Sequence, residues 1–280
     1  MPDVVLLKKD KNETQQDTVK KALDRLDLAQ QIKSSDKILV DLNLLLDEDY
    51  EYGNITSPET CEAIVDYLIN ELGVTPENIW VGDGGYTSST PGAIKRLKLP
   101  EMSKRYGFHV IDLNEDDRIN GVEPEKPLAL TSANIARTAM DVDVIVSVPS
   151  LKTHSMAVTT LSIKNLMGTL QPKGHMHSKL HKKLADLLSI FHPRTKLAVI
   201  DGFIGSDGME EGGHPVKMDV VVAGIDFVAV DTVGSALIGY SPKECMYLKY
   251  CSKRGLGESD INKINIVGDS LEEVKTKFRR

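Results

Sequence analysis

The chain has 280 residues, of which 41% are hydrophobic and 27% charged, with a net charge of −7. A chain of this size buries about three quarters of its unfolded surface without needing disulfides or a structural metal, and its ordinary composition excludes collagen, coiled coil and disorder. The acidic balance and the single tryptophan argue against a nucleic-acid partner, and the absence of a run of about 18 apolar residues argues against a membrane span.

Met1 to Leu7 carries no basic n-region and no long apolar h-region, so a signal peptide is not expected and the cytoplasm is. Val19, Ala22, Leu23, Leu26, Ala29 and Ile32 share one face of a helix predicted over 14–33. A strand follows at 37–42. Ser57-Pro58-Glu59 starts a helix that runs to Leu72 and stops at Gly73. Strands are expected at 79–81 and 109–113, with a helix at 93–106 broken at Pro100. The polar, acidic segment 114–127 reads as a surface loop. A short helix at 134–140 precedes a strong strand at 143–148. Helices at 159–167 and 181–191 lead to strands at 197–200 and 220–223. The last elements are helices at 228–238, 242–254 and 270–278, with a strand at 264–267. Strands alternating with helices predict an α/β fold, a mainly parallel sheet with helices on both faces. One domain over 1–280 is expected, with a mobile lobe or lid around 168–182.

In open α/β sheets ligands bind beyond the carboxyl ends of the strands, so the residues that follow each strand are the candidates. The first strand leads to Asp41 and Asn43, the next to Gly82-Asp83-Gly84-Gly85. That glycine turn is neither a Rossmann nor a Walker pattern. Lys152-Thr153-His154 places a lysine and a histidine two apart after a buried strand. Lys152 can hold an anion as a point charge, and His154 can move a proton near neutrality. Lys164 and Asn165 interrupt an apolar helix, which suggests a second lysine in the cleft. Asp201 ends a hydrophobic strand, so it is expected to be buried with a partner, and it is preferred over Glu210 and Glu211 as a functional acid. Asp207 lies in the same acidic, glycine-rich run. In the cluster His175, His177 and His181, two histidines, His177 and His181, have the i, i+4 spacing of metal ligands, and Lys173, Lys179, Lys182 and Lys183 crowd the cluster with positive charge. Cys61, Cys245 and Cys251 are scattered and hold no cluster between them; they read as buried small hydrophobes.

Several of these segments carry a family pattern: Asp143 to His154, Lys164-Asn-Leu-Met-Gly168, Asp201 to Gly205, Ala223 to Asp231, and Arg254 to Gly257. They resemble the Domain of Unknown Function 362 family, and the likeness runs from the first core strand to Gly268. The resemblance implies an α/β fold and a site at these strand ends. The family is often fused to a ferredoxin-like iron–sulfur module, which implies a redox partner. This chain departs from the family's Lys-Pro-Asn after the first core strand, where it has Asp41-Leu42-Asn43.

The expectation from these residues is an enzyme for a small anionic metabolite, a phosphate or carboxylate. His154, Lys152 and Asp201 are its catalytic candidates. Lys164, Asn165, Asp83, Gly84, Asn43 and Asp207 are its ligand-binding candidates. The alternative is an accessory protein that carries a divalent or transition metal on His175, His177 and His181 and works with an iron–sulfur redox protein.

Overall fold

The computed structural model describes residues 1–279. The elements follow in chain order. Strand β1 (Asp3–Lys8) precedes helix α1 (Gln15–Leu23), β2 (Ile38–Leu42), α2 (Pro58–Asn70), β3 (Ile79–Asp83), α3 (Thr90–Arg96), α4 (Leu99–Tyr106) and β4 (His109–Asp112). Next come β5 (Arg118–Val122), β6 (Ala133–Ala136), α5 (Arg137–Asp141), β7 (Val144–Val148), β8 (Ser150–His154), β9 (Val158–Thr160), α6 (Ser162–Asn165) and β10 (Leu170–Gln171). The chain ends with α7 (Leu180–Phe191), β11 (Thr195–Asp207), β12 (His214–Gly224), α8 (Phe227–Leu237), α9 (Met246–Lys253), β13 (Asn265–Gly268) and α10 (Leu271–Val274).

Eight strands form the sheet in the order β13-β1-β12-β11-β7-β2-β3-β4, and the β8–β9 hairpin joins it alongside β11. Neighbours from β11 through β7, β2 and β3 to β4 run parallel. Only β12 is reversed among the eight, pairing antiparallel with both β1 and β11. The α/β, mainly parallel fold expected from the sequence is therefore the one observed. A small sheet, β10-β6-β5, stands apart from it.

Alternation along the central strands feeds two cores. Leu39, Ile145, Ala198 and Ile200 face one layer, which α7, α8 and α9 cover through Leu184, Val230 and Tyr247. Val40, Val146 and Val199 face the other, covered by α1, α2 and α4 through Val19, Ile64 and Met102. Burying each such side chain is worth about 1.5–3 kcal/mol, so both faces are committed and function is left to the strand ends.

Several boundaries differ from the periodicity. The first helix stops at Leu23, after which Leu28–Gln30 form a single 3-10 turn that still buries Leu28. The segment read as an acidic loop contains β5, and the helix predicted at 134–140 begins as β6, because these two short strands pair with each other. The helix predicted at 159–167 divides into β9, α6 and a 3-10 turn. The helices expected at 242–254 and 270–278 shorten to α9 and α10. Around 168–182, Leu170 and Gln171 pair with Ile135 and Asn134, and Lys173 Nζ donates to Asn114 Oδ1 at 2.7 Å.

Candidate functional site

A cleft of about 110 Å³ opens at the carboxyl ends of β2 and β3. Asn43, Asp83, Gly84, His154, Lys164 and Asn165 all line it. Six residues from four distant segments of the sequence thus share one cavity.

Strand β8 supplies its basic wall. Lys152 and His154 are two apart in an extended strand, so their side chains leave the same face. The Lys152 side chain is fully buried, and its Nζ donates to Asn43 Oδ1 at 2.7 Å and to the Asn54 carbonyl at 2.5 Å. Burial pushes its pKa down to about 7, and the Lys164 charge adds to the shift. Lys152 therefore does not line the cleft; it braces Asn43, which does.

His154 closes its own hairpin. Its Nδ1 accepts hydrogen bonds from the Met156 and Ala157 amides at 3.0 and 3.2 Å. Both amides point at a lone pair, so the ring proton belongs on Nε2, which lies 3.6 Å from Glu210 Oε1. Burial, reinforced by the charge of Lys164, pushes the imidazole down to about 3. The sequence expectation of titration near neutrality is corrected: this histidine is a neutral N–H donor held in one tautomer.

Helix α6 brings in the second lysine. Its first turn is pinned by Asp231 of α8, whose carboxylate accepts the Ser162 and Ile163 amides at 2.8 and 3.1 Å and the Ser162 hydroxyl at 2.5 Å. Lys164 is thereby turned to the cleft, where among the described residues it makes no hydrogen bond or ion pair. Burial pushes it down to about 8, against the pull of Glu210 and Asp83. Asn165 is the joint of the site. It accepts from Asn43 Nδ2 at 2.8 Å and directs its own Nδ2 at the Asp41 and Leu42 carbonyls at 2.9 and 3.0 Å.

The acidic wall comes from β3 and from the β11–β12 turn. Asp83 accepts the Leu44 and Gly84 amides at 2.7 and 2.6 Å. Burial pushes it up to about 6, although those amides and Lys173 oppose the shift. The Gly84 amide is therefore already taken by Asp83, although Gly84 itself lines the cleft. Glycine is required here for another reason. A Cβ on Gly84 would lie 2.3 Å from the Gly168 carbonyl oxygen, and one on Gly168 would lie 2.0 Å from Asp83 Oδ1. Beside Asp83 lies Asp41, fully buried and pushed well up by burial and by the Asp83 charge.

Glu210, which the sequence reading placed behind Asp201, lies in the cleft. Its carboxylate lines the cleft and accepts the Ser155 amide and hydroxyl at 2.9 and 2.8 Å. Burial alone would raise it, but the Ser155 hydrogen bonds and His154 outweigh burial and hold it at about 2. Its signal was present in the acidic run 205–214, but not which of the acids would turn inward. Thr160, Lys173 and Tyr86 also line the cleft; Thr160 is placed opposite Lys152 by the β8–β9 register.

Two acids expected in the site lie elsewhere. Asp201 Oδ2 accepts the Ser57 amide and hydroxyl at 2.8 and 2.6 Å, so it anchors the start of α2. Asp207 pairs with Arg279 near the end of the chain, Nε to Oδ2 at 2.9 Å. The histidine trio is also dispersed. His177 lines the cleft, His175 lines a separate surface pocket, and His181 stacks on Tyr247 with ring centroids 6.2 Å apart. The i, i+4 argument needed a helix from 177 onward, but Lys179 is left-handed and α7 starts only at Leu180. Among the described residues no group of three His, Cys, Asp or Glu side chains is arranged to hold a metal. The three cysteines do not converge either: Cys61 is in one core layer, Cys245 and Cys251 in the other.

Residues 38–236, which contain every residue lining this cleft, match the family model described as a domain of unknown function, number 362. The chain belongs to this family. Within the Domain of Unknown Function 362 match lie the Lys-Thr-His strand, α6 and the Glu210 turn, so the cleft is lined wholly by the family's own segment. The chain is 25% identical over 230 residues to a thylakoid-associated protein of Synechocystis sp., an alignment covering 75% of this chain and 65% of that protein. It therefore spans less than two thirds of that relative. Among solved structures, the lactate racemase apoprotein from Thermoanaerobacterium thermosaccharolyticum aligns with a TM-score of 0.46 at 13% identity, covering 99% of this chain and 87% of that one. Among the described residues no helix is long and apolar enough to cross a membrane.

Proposed function

We propose that this member of the family is an enzyme that binds a small anionic metabolite in the cleft between β2, β3, α6 and the β8–β9 hairpin. One observation carries the reading: the Lys164 ammonium faces the cavity with no hydrogen bond or ion pair among the described residues, beside an N–H of His154 held outward by two amides. A half-buried cation without a partner is costly unless a ligand completes it. Lys164 anchors the anion, and His154 donates a hydrogen bond to it. Asp83, pushed up to about 6, exchanges a proton near neutrality and is the general base. Lys152 and Asn165 position Asn43.

The test is calorimetric titration with acetate and with inorganic phosphate, on the wild type and on Lys164→Met. Saturable binding of either probe that disappears in Lys164→Met is expected. A wild type that binds neither, or a variant that binds as well as the wild type, overturns the reading. Catalysis is then scored by mass spectrometry on a panel of carboxylated and phosphorylated metabolites. Asp83→Asn is expected to retain binding and lose turnover.

A further inference from the structure

The cleft is not simply basic. Lys164 and Lys173 line it together with two acids, Asp83 and Glu210, and with a histidine that burial keeps neutral. Glu210 remains a carboxylate because the Ser155 amide and hydroxyl both donate to it. Lys164 and Glu210 influence each other electrostatically, yet no ion pair joins them. A cation and an anion thus face the same small cavity with space between them. Thr160 adds an independent sign of a missing partner: its hydroxyl is buried in the cleft wall and has no hydrogen bond, a condition that calls for one.

A simple anion satisfies only half of this arrangement. Placed on Lys164, acetate leaves Glu210 facing it across a cavity of about 110 Å³, and phosphate meets Glu210 and Asp83 together. Like charges in a poorly solvated cavity repel strongly. A ligand that carries its own cation removes the conflict.

We propose that the ligand is a small zwitterion of the amino-acid type, with its carboxylate on Lys164 and the His154 N–H and its ammonium on Glu210. This rests on the reading of the cleft as an anion site and narrows it to a carboxylate with a neighbouring amine. Glu210 is then the residue that separates an amino acid from the corresponding plain carboxylate. The Thr160 hydroxyl completes the polar lining around the bound molecule.

The experiment compares matched pairs, each standard α-amino acid against its deaminated carboxylate, by calorimetry on wild type, Glu210→Gln and Lys164→Met. Circular dichroism and melting temperature establish that each variant folds. In the wild type at least one amino acid is expected to bind about tenfold or more tightly than its deaminated partner, the scale of one desolvated ion pair. In Glu210→Gln that ratio is expected to fall to near one while the plain carboxylate still binds, and Lys164→Met is expected to lose both. The zwitterion proposal is overturned if no pair favours the amino form, or if Glu210→Gln keeps the preference. In those cases Lys164-dependent binding of plain carboxylates or phosphate leaves the anion-site reading standing. A wild type that binds no carboxylate, no amino acid and no phosphate overturns both.

Discussion

Asn43 and Asn165 hold each other across 122 positions of sequence, with Asn43 Nδ2 donating to Asn165 Oδ1 at 2.8 Å. The same Asn165 amide is directed at the last two carbonyls of β2, at 2.9 and 3.0 Å. Asn43 in turn receives the buried Lys152. The pair therefore fixes the end of β2, the start of the cleft floor and the helix that carries Lys164.

Replacing Asn165 by Ala strands the Asn43 amide and removes one donor from two β2 carbonyls. Each buried group so stranded costs about 1–3 kcal/mol. A loss of about 2–4 kcal/mol in urea unfolding is expected, together with weaker binding of acetate because Lys164 is no longer oriented. A variant as stable as the wild type would show that Asn165 is not a joint of the site.

His154 is expected to keep one tautomer throughout the physiological range. Long-range nitrogen–proton correlation spectra should show its Nδ1 unprotonated and its Nε2 protonated, with no titration until pH falls toward about 3. Because its folded value lies below its ordinary 6.5, the unfolded chain binds the extra proton first. The contribution of His154 to stability is therefore lost as pH falls from 6.5 toward 3. Imidazolium at pH 6 would refute the two-amide geometry.

Lys152 should leave a signature on the alkaline side. Its folded value of about 7 lies below its ordinary 10.5, so between these limits the unfolded chain holds the extra proton. Stability contributed by this site rises with pH across that window. Lys164, lowered to about 8, contributes a rise of the same sign, so in Lys152→Met the rise is expected to shrink and to start at higher pH. Urea unfolding of both proteins at about pH 7 and about pH 9.5 measures it, and parallel pH dependences would contradict a buried, easily deprotonated lysine.

Asp201 and Glu210 should separate cleanly. Asp201→Ala removes the acceptor that holds the Ser57 amide and hydroxyl at the start of α2. Hydrogen bonds to a charged group are worth about 1.5–3 kcal/mol each, so losing the two is expected to lower stability by about 3–6 kcal/mol while binding of acetate by the folded protein is unchanged. A specific loss of binding without loss of stability would return Asp201 to the site.

Periodicity and cap chemistry determined the layered fold of this protein on their own. Val144 to Val148 is apolar at nearly every position because both faces of β7 are covered, and Ser57-Pro58 starts α2 where the capping rules place it. Strand-end logic also pointed to Asn43, Asp83 and His154, since residues following parallel strands converge on one edge of the sheet, and the interruption of an apolar helix pointed to Lys164 and Asn165. What the chain's own order could not decide was which way each acid faces. Asp201 and Glu210 lie nine positions apart on the same hairpin, but Asp201 is captured by Ser57 and Glu210 by Ser155. Both captures join segments distant in sequence, so only tertiary packing selects between them. The protonation of His154 was equally hidden. It depends on two amides in its own turn and on burial beside Lys164, and burial is a property of the assembled sheet. The histidine trio failed for the converse reason: spacing along the chain implied a helix that the left-handed Lys179 interrupts.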